Sequence, residues 1–232
     1  MYRKFKETYI DAKNIYFSNE NINLLVSEKY YDMFSNRVNA EKKFRKIVKL
    51  LIDNNIIDKN KNMIDLGAWI GDNSLIWSQM INGIVYAIDP SSNNINIINT
   101  LKKLNNINNI KTIQKPISDK LEKVSIDKGD INHGSFKSSE DGIRTETLDN
   151  LYKNKVIDNI GFIHLDVEGF EYKVVKGSQN IISTFRPIIV TESHKNDIDV
   201  GPYISNGNVN GMYMWNYVGP MSHNVDSEDQ NL

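Results

Sequence analysis

The chain has 232 residues, of which 40% are hydrophobic and 25% are charged, so it can bury a full core as one domain of ordinary or slightly large size. Its 28 Lys and Arg residues almost balance its 29 Asp and Glu residues, and the net charge of −1 excludes a global basic field for nucleic acid or anionic membranes. Because the chain has no cysteine, disulfides, thiolate metal sites and thiol catalysis are excluded as well.

The first part of the chain, residues 1–60, is predicted to be a helical lead-in. It starts with polar and charged residues, and its apolar side chains Phe44, Ile47, Val48 and Leu51 then recur at i, i+3, i+4 and i+7, as in an amphipathic helix. We see no signal peptide and no apolar run near the ~20 residues that a spanning helix requires. We therefore expect a cytoplasmic protein without a membrane span.

Strand and helix patterns alternate after the lead-in, which indicates a parallel sheet. The predicted strands are Asn62–Leu66, Ile84–Ile88, Ile110–Gln114, Ile160–Leu165 and Pro187–Thr191, and the predicted helices between them are Asp72–Ile81, Asn93–Leu104 and Phe170–Ile182. This α/β domain is predicted over residues 61–220, followed by a flexible polar tail over residues 221–232.

Two segments interrupt the alternation. Residues 121–147 form short pieces rich in Gly, Ser and Asp, which predicts an insert over the sheet edge or the active site. In residues 211–218, aromatic side chains alternate with other residues and predict an antiparallel edge strand.

A strand, a glycine loop, a helix start and a second strand follow one another between Asn62 and Asp89. Gly67 and Gly71 allow the backbone to turn tightly and to approach a ligand, and the helix start presents free amide groups. Asp89 ends the second strand, where a carboxylate can accept both hydroxyls of a ribose. The pattern predicts a site for an adenosyl ligand, and the alternative is an ordinary strand-to-helix turn.

The glycine spacing favours S-adenosylmethionine (SAM) over a dinucleotide. A dinucleotide site uses G-x-G-x-x-G to admit a pyrophosphate, whereas this chain has Asp65-x-Gly67-x-x-x-Gly71. The carboxylate before the first glycine would repel phosphates, yet it suits a ligand that carries an amino group and a sulfonium. A nucleotide-linked oxidoreductase is therefore the disfavoured alternative.

Polar side chains follow the carboxyl ends of the predicted strands, where ligands bind in a doubly wound sheet. They are Asp65, Asp89, Ser118 with Asp119, Asp166 with Glu168, and Glu192 with His194. Their recurrence at one edge of the sheet predicts a shared pocket.

Two motifs resemble those of the FkbM family of SAM-dependent O-methyltransferases. They are Ile64-Asp-Leu-Gly-Ala-Trp-Ile-Gly71 and Phe162-Ile-His-Leu-Asp-Val-Glu-Gly-Phe-Glu171, and the segments similar to the family around them are Thr145 to Leu151, Lys176-Gly177 and Arg186-Pro187. The resemblance covers roughly Glu41 to Glu192. The chain departs from it at Trp69, where a small polar residue is common, and after His194, where no family ending is recognisable.

The resemblance implies a class I SAM-dependent methyltransferase fold, which is Rossmann-like, with a mostly parallel seven-stranded sheet and helices on both faces. It implies a switch point between strands one and four, so that the loop from Asp65 to Gly71 abuts Asp166 to Gly169. It also implies hydroxyls of small molecules, often sugars, as acceptors.

The predicted cofactor-binding residues combine the glycine loop, the end of the second strand and a later segment for which the resemblance implies contact with adenine. They are Asp65, Gly67, Ala68, Gly71, Asp72, Ser74, Asp89, Pro90, Ser118 and Asp119. For Ser118 and Asp119, an ordinary turn or a helix cap explains the residues equally well.

The predicted catalytic residues are Asp166, Glu168 and His194, and Asp166 is the leading candidate for the base that deprotonates the acceptor hydroxyl. The alternatives are that the carboxylates cap the helix near Phe170 and that His194 is structural. A divalent ion on Asp166, Glu168 and Glu192 would also activate the hydroxyl, but the sequence does not establish one and no metal site is predicted. The other histidines are placed in the insert, the core and the tail: His133, His164 and His223.

The predicted function is SAM-dependent O-methylation of a hydroxyl on a small-molecule or glycan acceptor. Short polar side chains in Asn132 to Ser135, and the rings of Tyr213 or Trp215, suit a sugar. The alternatives left open are an RNA 2′-O-methyltransferase, which the near-zero net charge disfavours, and a non-catalytic SAM or nucleotide-binding module. No nucleic-acid partner is expected, and the oligomeric state is not predicted.

Overall fold

The computed structural model describes residues 2–5, 8–17, 20–27, 44–126, 136–138, 141–167, 169–192 and 214–217, and the structural statements below concern these residues. The strands are β1 (Tyr2–Phe5), β2 (Thr8–Phe17), β3 (Glu20–Ser27), β4 (Asn62–Leu66), β5 (Val85–Ile88), β6 (Ile110–Ile113), β7 (Lys123–Ile126), β8 (Phe136–Ser138), β9 (Ile143–Arg144), β10 (Ile160–Leu165), β11 (Ile188–Glu192) and β12 (Met214–Tyr217). The helices are α1 (44–53), α2 (Asp72–Met80), α3 (Ser92–Leu104), α4 (Leu148–Lys153), α5 (Glu171–Lys176) and α6 (Gln179–Phe185).

The central sheet has six parallel strands in the order β12-β11-β10-β4-β5-β6. The chain runs outward from β4 to β6 on one side and from β10 to β12 on the other, so the switch point lies between β4 and β10. The predicted Rossmann-like α/β fold is confirmed, with six strands in the described residues where seven were expected. The carboxyl ends of β4 and β10 meet at the edge where ligands bind in such sheets.

The sheet has an apolar core on each face. In the central strands, Met63 and Phe162 pack in the core that contains α1, α2 and α3, whereas Ile64 and Ile163 pack in the core that contains α4, α5 and α6. Neighbouring side chains of a strand point to opposite faces, and here both faces are buried. This explains why the central strands are mostly apolar, and it confirms the prediction of helices on both faces.

The lead-in differs from the predicted helical segment. Strands β1, β2 and β3 form an antiparallel sheet, and a helix is described only from residue 44 onward. Phe17 pairs with Glu20, so only residues 18 and 19 join β2 to β3, which is the length of a tight hairpin connection. Residues 8–17 are also rich in Tyr, Ile and Phe, which favour strands. Among the described residues of the lead-in, the helical prediction therefore holds only for α1.

The predicted helix Phe170–Ile182 is two helices, α5 and α6, which are separated at Gly177 and Ser178. Glycine is a poor helix former, and Gly177 ends α5. The Asp149 carboxylate accepts hydrogen bonds from Asn180 N and Ile181 N, both at 3.0 Å, so it caps a new helix there. This cap comes from α4 and leaves no local sign in the sequence.

The predicted edge strand forms at Met214–Tyr217, but it pairs with β11 in the parallel direction, so the antiparallel prediction is wrong. A parallel neighbour requires a crossover connection of a dozen or more residues. Residues 193–213 provide that length between the two strands.

The insert contains a small antiparallel sheet in the order β8-β7-β9. The two ends of the insert are joined by Thr145, whose hydroxyl donates to Lys120 O at 2.7 Å and accepts from Glu122 N at 2.8 Å. An isolated bridge between Ile117 and Glu146 lies beside this contact. The chain therefore leaves and re-enters the domain at neighbouring points.

A polar contact joins the amino ends of the central strands. It lies away from the switch-point edge, which is the edge of the sheet where the carboxyl ends of β4 and β10 meet. The Asp158 carboxylate accepts from Tyr86 OH at 3.1 Å and from Asn62 Nδ2 at 3.0 Å. Burial, with Asp158 beside the hydroxyl, raises the pKa of Tyr86 to about 12. This contact is structural and lies outside the candidate site.

Candidate active site

The loop after β4 is built from residues in the left-handed backbone region. Gly67, Trp69 and Gly71 have φ values of 77°, 44° and 82°. Gly67 N and Ala68 N donate to Ile88 O at 3.0 and 3.2 Å, which holds the loop against the end of β5. These positive φ values form the tight turn that joins β4 to α2.

Gly67 also lies against the end of β10. A Cβ on Gly67 would be 1.7 Å from the Asp166 carbonyl oxygen, and Asp166 N donates to Leu66 O at 3.0 Å. The predicted proximity of the glycine loop to Asp166 is therefore confirmed. Glycine is required at residue 67 for two reasons, its positive φ and the absence of space for a side chain.

Asp65 lies beneath this loop and is 2% exposed. Its Oδ2 accepts a hydrogen bond from Ser74 Oγ, and its Oδ1 lies 2.9 Å from His164 Nδ1. The structure thus brings together two of the predicted cofactor residues, Asp65 and Ser74. It also places His164 in the core, as predicted, but in contact with Asp65, a partnership that the sequence did not indicate because 99 residues separate the two.

Asp89 is buried at the end of β5 and is 5% exposed. Its Oδ1 accepts from Ser91 N at 2.8 Å and Asn94 Nδ2 at 3.1 Å, and its Oδ2 accepts from Trp69 N at 3.0 Å. A carboxylate has about four acceptor positions, so one further hydrogen bond is available. Accepting both hydroxyls of a ribose would therefore cost Asp89 one of these internal hydrogen bonds.

The start of α2 is buried together with an arginine from α1. Asp72 and Asn73 are each 6% exposed, and Arg45 is 1% exposed. Arg45 Nη1 donates to Asn73 Oδ1 at 3.1 Å and lies 4.0 Å from Asp72 Oδ2. Sequence reasoning missed Arg45, although a cation following Phe44 on the apolar side of α1 was a signal that it is buried against an acidic partner.

The segment of Ser118 and Asp119 is anchored to the insert and to α5. Ser118 N donates to Glu146 O at 2.8 Å, and Asp119 Oδ2 lies 3.4 Å from Lys176 Nζ. A Cβ on Gly177 would lie 2.3 Å from Ser118 O, so the two segments touch. These contacts favour neither the adenine role nor the turn, and Ser118, Asp119 and the half-buried Pro90 after β5 remain predicted cofactor residues.

Asp166 follows β10 and is half-buried at the switch-point edge. The turn after it is closed by Glu171, which is 5% exposed and whose Oε1 accepts from Val167 N at 2.9 Å. Gly169, with φ 89°, has open space where a Cβ would stand. Glu171 was missed as a separate contributor, although its place in the second motif was the available signal.

The other predicted acceptor-side residues cannot be placed. Glu168, His194, Tyr213, His133 and the segment 132–135 lie outside the described residues, and so do the side chains of Glu192 and Trp215. Within the described part of the chain, no three His, Asp or Glu side chains are grouped as metal ligands would be. Among the described helices, none is long and apolar enough to cross a membrane.

A family model described as the methyltransferase FkbM domain matches residues 65–211, which is more than half of the chain. The chain belongs to the FkbM methyltransferase family. The protein is thus a methyltransferase. The match begins at Asp65, inside the first motif, and contains the whole second motif. The comparison with curated proteins gives no match.

The FkbM match both begins and ends later in the chain than the resemblance in the motifs suggested, since it starts at Asp65 and the resemblance at about Glu41. The match continues past Glu192 to residue 211 and includes His194, so the expectation that the family likeness stops at Glu192 is wrong. The match ends at residue 211, shortly before β12, which pairs with β11 in the same parallel sheet. A crossover carries little sequence pattern of its own, and the motifs alone did not reveal it.

Proposed function

We propose that this methyltransferase uses SAM and methylates a hydroxyl of a small-molecule or glycan acceptor. The observation that carries the proposal is the left-handed loop of Gly67, Trp69 and Gly71, which lies between the buried carboxylates of Asp65 and Asp89 and against Asp166. Such a site offers negative charge and a close backbone approach, whereas a dinucleotide would need a third glycine and no carboxylate before the first.

The described residues fit SAM. Asp89 has an acceptor position for a ribose hydroxyl, and the charge of Asp65 under the loop complements the positively charged end of the ligand. When bound, SAM supplies a methyl group activated by its sulfonium. The predicted cofactor residues from Asp65 to Ser74, with Pro90, Ser118 and Asp119, would hold it.

The acceptor side is proposed to act through Asp166. Methyl transfer needs the acceptor oxygen, the methyl carbon and the sulfur nearly in line, so holding the acceptor at the end of β10 provides much of the rate. A sugar hydroxyl is a weak nucleophile, and the Asp166 carboxylate accepts its proton as the new bond forms. Glu168 and His194 are the alternative bases. Activation by a divalent ion on Asp166, Glu168 and Glu192 is the alternative to a base.

Lowering the pH through about 6 is expected to weaken SAM binding. Burial raises the pKa of Asp89 from 3.8 to about 6, so the carboxylate takes up a proton below this pH and presents a donor where the ribose hydroxyl needs an acceptor. One proton linked to binding lowers the affinity roughly tenfold at one pH unit below the pKa. Calorimetric titration of SAM between about pH 7.5 and pH 5 measures this slope.

The test variant is Asp89→Asn, whose amide oxygen can still accept from Ser91 N and Asn94 Nδ2, whereas its amide nitrogen cannot accept from Trp69 N. It should bind SAM more weakly at neutral pH by about 1.5 to 3 kcal/mol, the usual worth of hydrogen bonds to a charged group. Its affinity should also no longer depend on pH in this range. A folded Asp89→Asn protein that keeps the full pH slope would show that another group titrates.

The acceptor class is expected to be a glycosyl hydroxyl, whether free, nucleotide-linked or lipid-linked. The test incubates the protein with methyl-labelled SAM and separate pools of nucleotide-sugars, oligosaccharides and total RNA. Label in the sugar pools is the expected result. Label that enters RNA alone, and declines steeply with added salt, would assign an RNA 2′-hydroxyl instead. If the protein binds SAM but transfers label to none of the pools, a non-catalytic module is favoured. If it binds NAD in place of SAM, an oxidoreductase is favoured.

A further inference from the structure

We propose that His164 is a positioning residue for the methyl donor, because its hydrogen bond to Asp65 holds the base of the glycine loop closed and keeps a negative charge beneath it. The inference rests on the proposed function, since it concerns the site proposed for SAM. His164 itself lies in the core and is expected to act through Asp65.

The contacts form a short buried chain across three elements. His164 on β10 contacts Oδ1 of Asp65 on β4 at 2.9 Å, and Ser74 on α2 donates to Oδ2 of the same carboxylate. The exposed fractions are 6% for His164, 2% for Asp65 and 0% for Ser74. Each carboxylate oxygen therefore has a protein donor and little access to water.

The chain of contacts spans the glycine loop from end to end. Asp65 precedes Gly67, and Ser74 lies in the first turn of α2 just after Gly71. The hydrogen bond between Asp65 and Ser74 therefore ties the two ends of the loop together. His164 sets the direction of the Asp65 carboxylate from the neighbouring strand, which is the strand that ends at Asp166.

The surroundings of His164 strengthen this role. The ring centroids of Phe44 and Trp77 lie 5.2 and 5.4 Å from the His164 ring, so the hydrogen bond to Asp65 is in apolar surroundings, where such bonds are strong. A carboxylate oxygen only accepts, so Nδ1 carries the proton. A neutral imidazole satisfies this contact, and the pair then retains the charge of one carboxylate.

The negative charge of Asp65 is expected to affect which ligand the site prefers. SAM carries a positive sulfonium, whereas its demethylated product, S-adenosylhomocysteine, has a neutral sulfur in the same place. A negative charge beneath the loop favours SAM over the product. Without the hydrogen bond from His164 the Asp65 carboxylate is no longer held in its direction beneath the loop, so loss of His164 should reduce the preference for SAM.

The experiment compares the Kd values of SAM and S-adenosylhomocysteine by calorimetry for three variants. His164→Leu removes the donor and should weaken SAM binding roughly tenfold, the effect of losing a hydrogen bond to a charged group. Product binding should weaken less, so that the preference for SAM falls by roughly threefold or more. His164→Asn has an amide donor near the place of Nδ1 and should restore most of both values.

The matched control is Tyr86→Phe, which removes a hydrogen bond to Asp158 at the other end of the strands. It should lower stability and leave the preference for SAM unchanged. If His164→Leu does not fold, Asp65→Asn tests the same charge with a side chain of similar size and should reduce the preference in the same way.

The outcomes separate this inference from the proposed function. A folded His164→Leu or Asp65→Asn protein with the wild-type preference for SAM would overturn the inference and leave His164 as a core side chain. A wild-type protein that binds neither ligand would instead contradict the proposed function.

Discussion

Replacing Asp166 by Asn is expected to lower the rate of methyl transfer by about 10²- to 10⁴-fold, the usual contribution of a general base, while SAM binding survives. The amide has the shape of the carboxylate but cannot accept the proton of the acceptor hydroxyl. The backbone of residue 166, which holds the glycine loop through Leu66 O at 3.0 Å, is unchanged by the substitution. Single-turnover assays with labelled SAM, together with calorimetry, separate the loss of chemistry from a loss of binding.

The companion variant is His194→Ala, which removes one of the two alternative bases. If Asp166 is the base, His194→Ala should retain most of the single-turnover rate of the wild-type protein. Near-normal transfer by Asp166→Asn, together with loss of transfer in His194→Ala, would move the role of base to His194. A parallel loss of SAM binding in Asp166→Asn would place Asp166 in the donor site instead.

The substitution Gly67→Ala is expected to destabilise the protein by about 3 kcal/mol or more, a large part of the 5 to 15 kcal/mol typical of a folded domain. Its φ of 77° alone costs an Ala roughly 1 to 2 kcal/mol. The new Cβ would also stand 1.7 Å from the Asp166 carbonyl oxygen, which is backbone and cannot move without shifting β10. Urea denaturation followed by circular dichroism measures the change in the free energy of unfolding.

Gly169→Ala is the matched control because Gly169 also has a positive φ, 89°, but nothing lies within 4 Å of its Cβ position. It carries the backbone strain without the clash and should cost roughly 1 to 2 kcal/mol. If the two variants lose the same free energy of unfolding, the glycine loop does not press against the end of β10.

The central strands could be predicted from the sequence because both of their faces are buried. A strand buried on both faces is a continuous apolar run, and polar or turn residues mark its ends. The predictions for Asn62–Leu66 and Ile160–Leu165 therefore coincide with β4 and β10. Helix α3 was found almost as well, although its true start at Ser92 is set by the Ser91 hydroxyl, which accepts from Asn94 N.

What the sequence could not reveal are contacts between distant segments. The glycine loop was visible because its turn depends on residues close in the chain. The partners of Asp65 and Asp72, by contrast, are His164 and Arg45, which approach only when β10 and α1 pack beside β4 and α2. The break between α5 and α6 is similar, because the Asp149 carboxylate that starts α6 comes from another helix.

The hydrogen bonds of Thr145 at the base of the insert affect how far the insert can vary in evolution or by engineering. Because the Thr145 hydroxyl bonds to Lys120 O and Glu122 N and so joins the ends of the insert, the segment between them, residues 123–144, starts and ends at a closed base. The entropic cost of a closed loop grows slowly with its length, about 0.6 kcal/mol for each doubling. Segments of different length and chemistry can therefore be grafted onto this base while Asp65 and Asp166 stay in place.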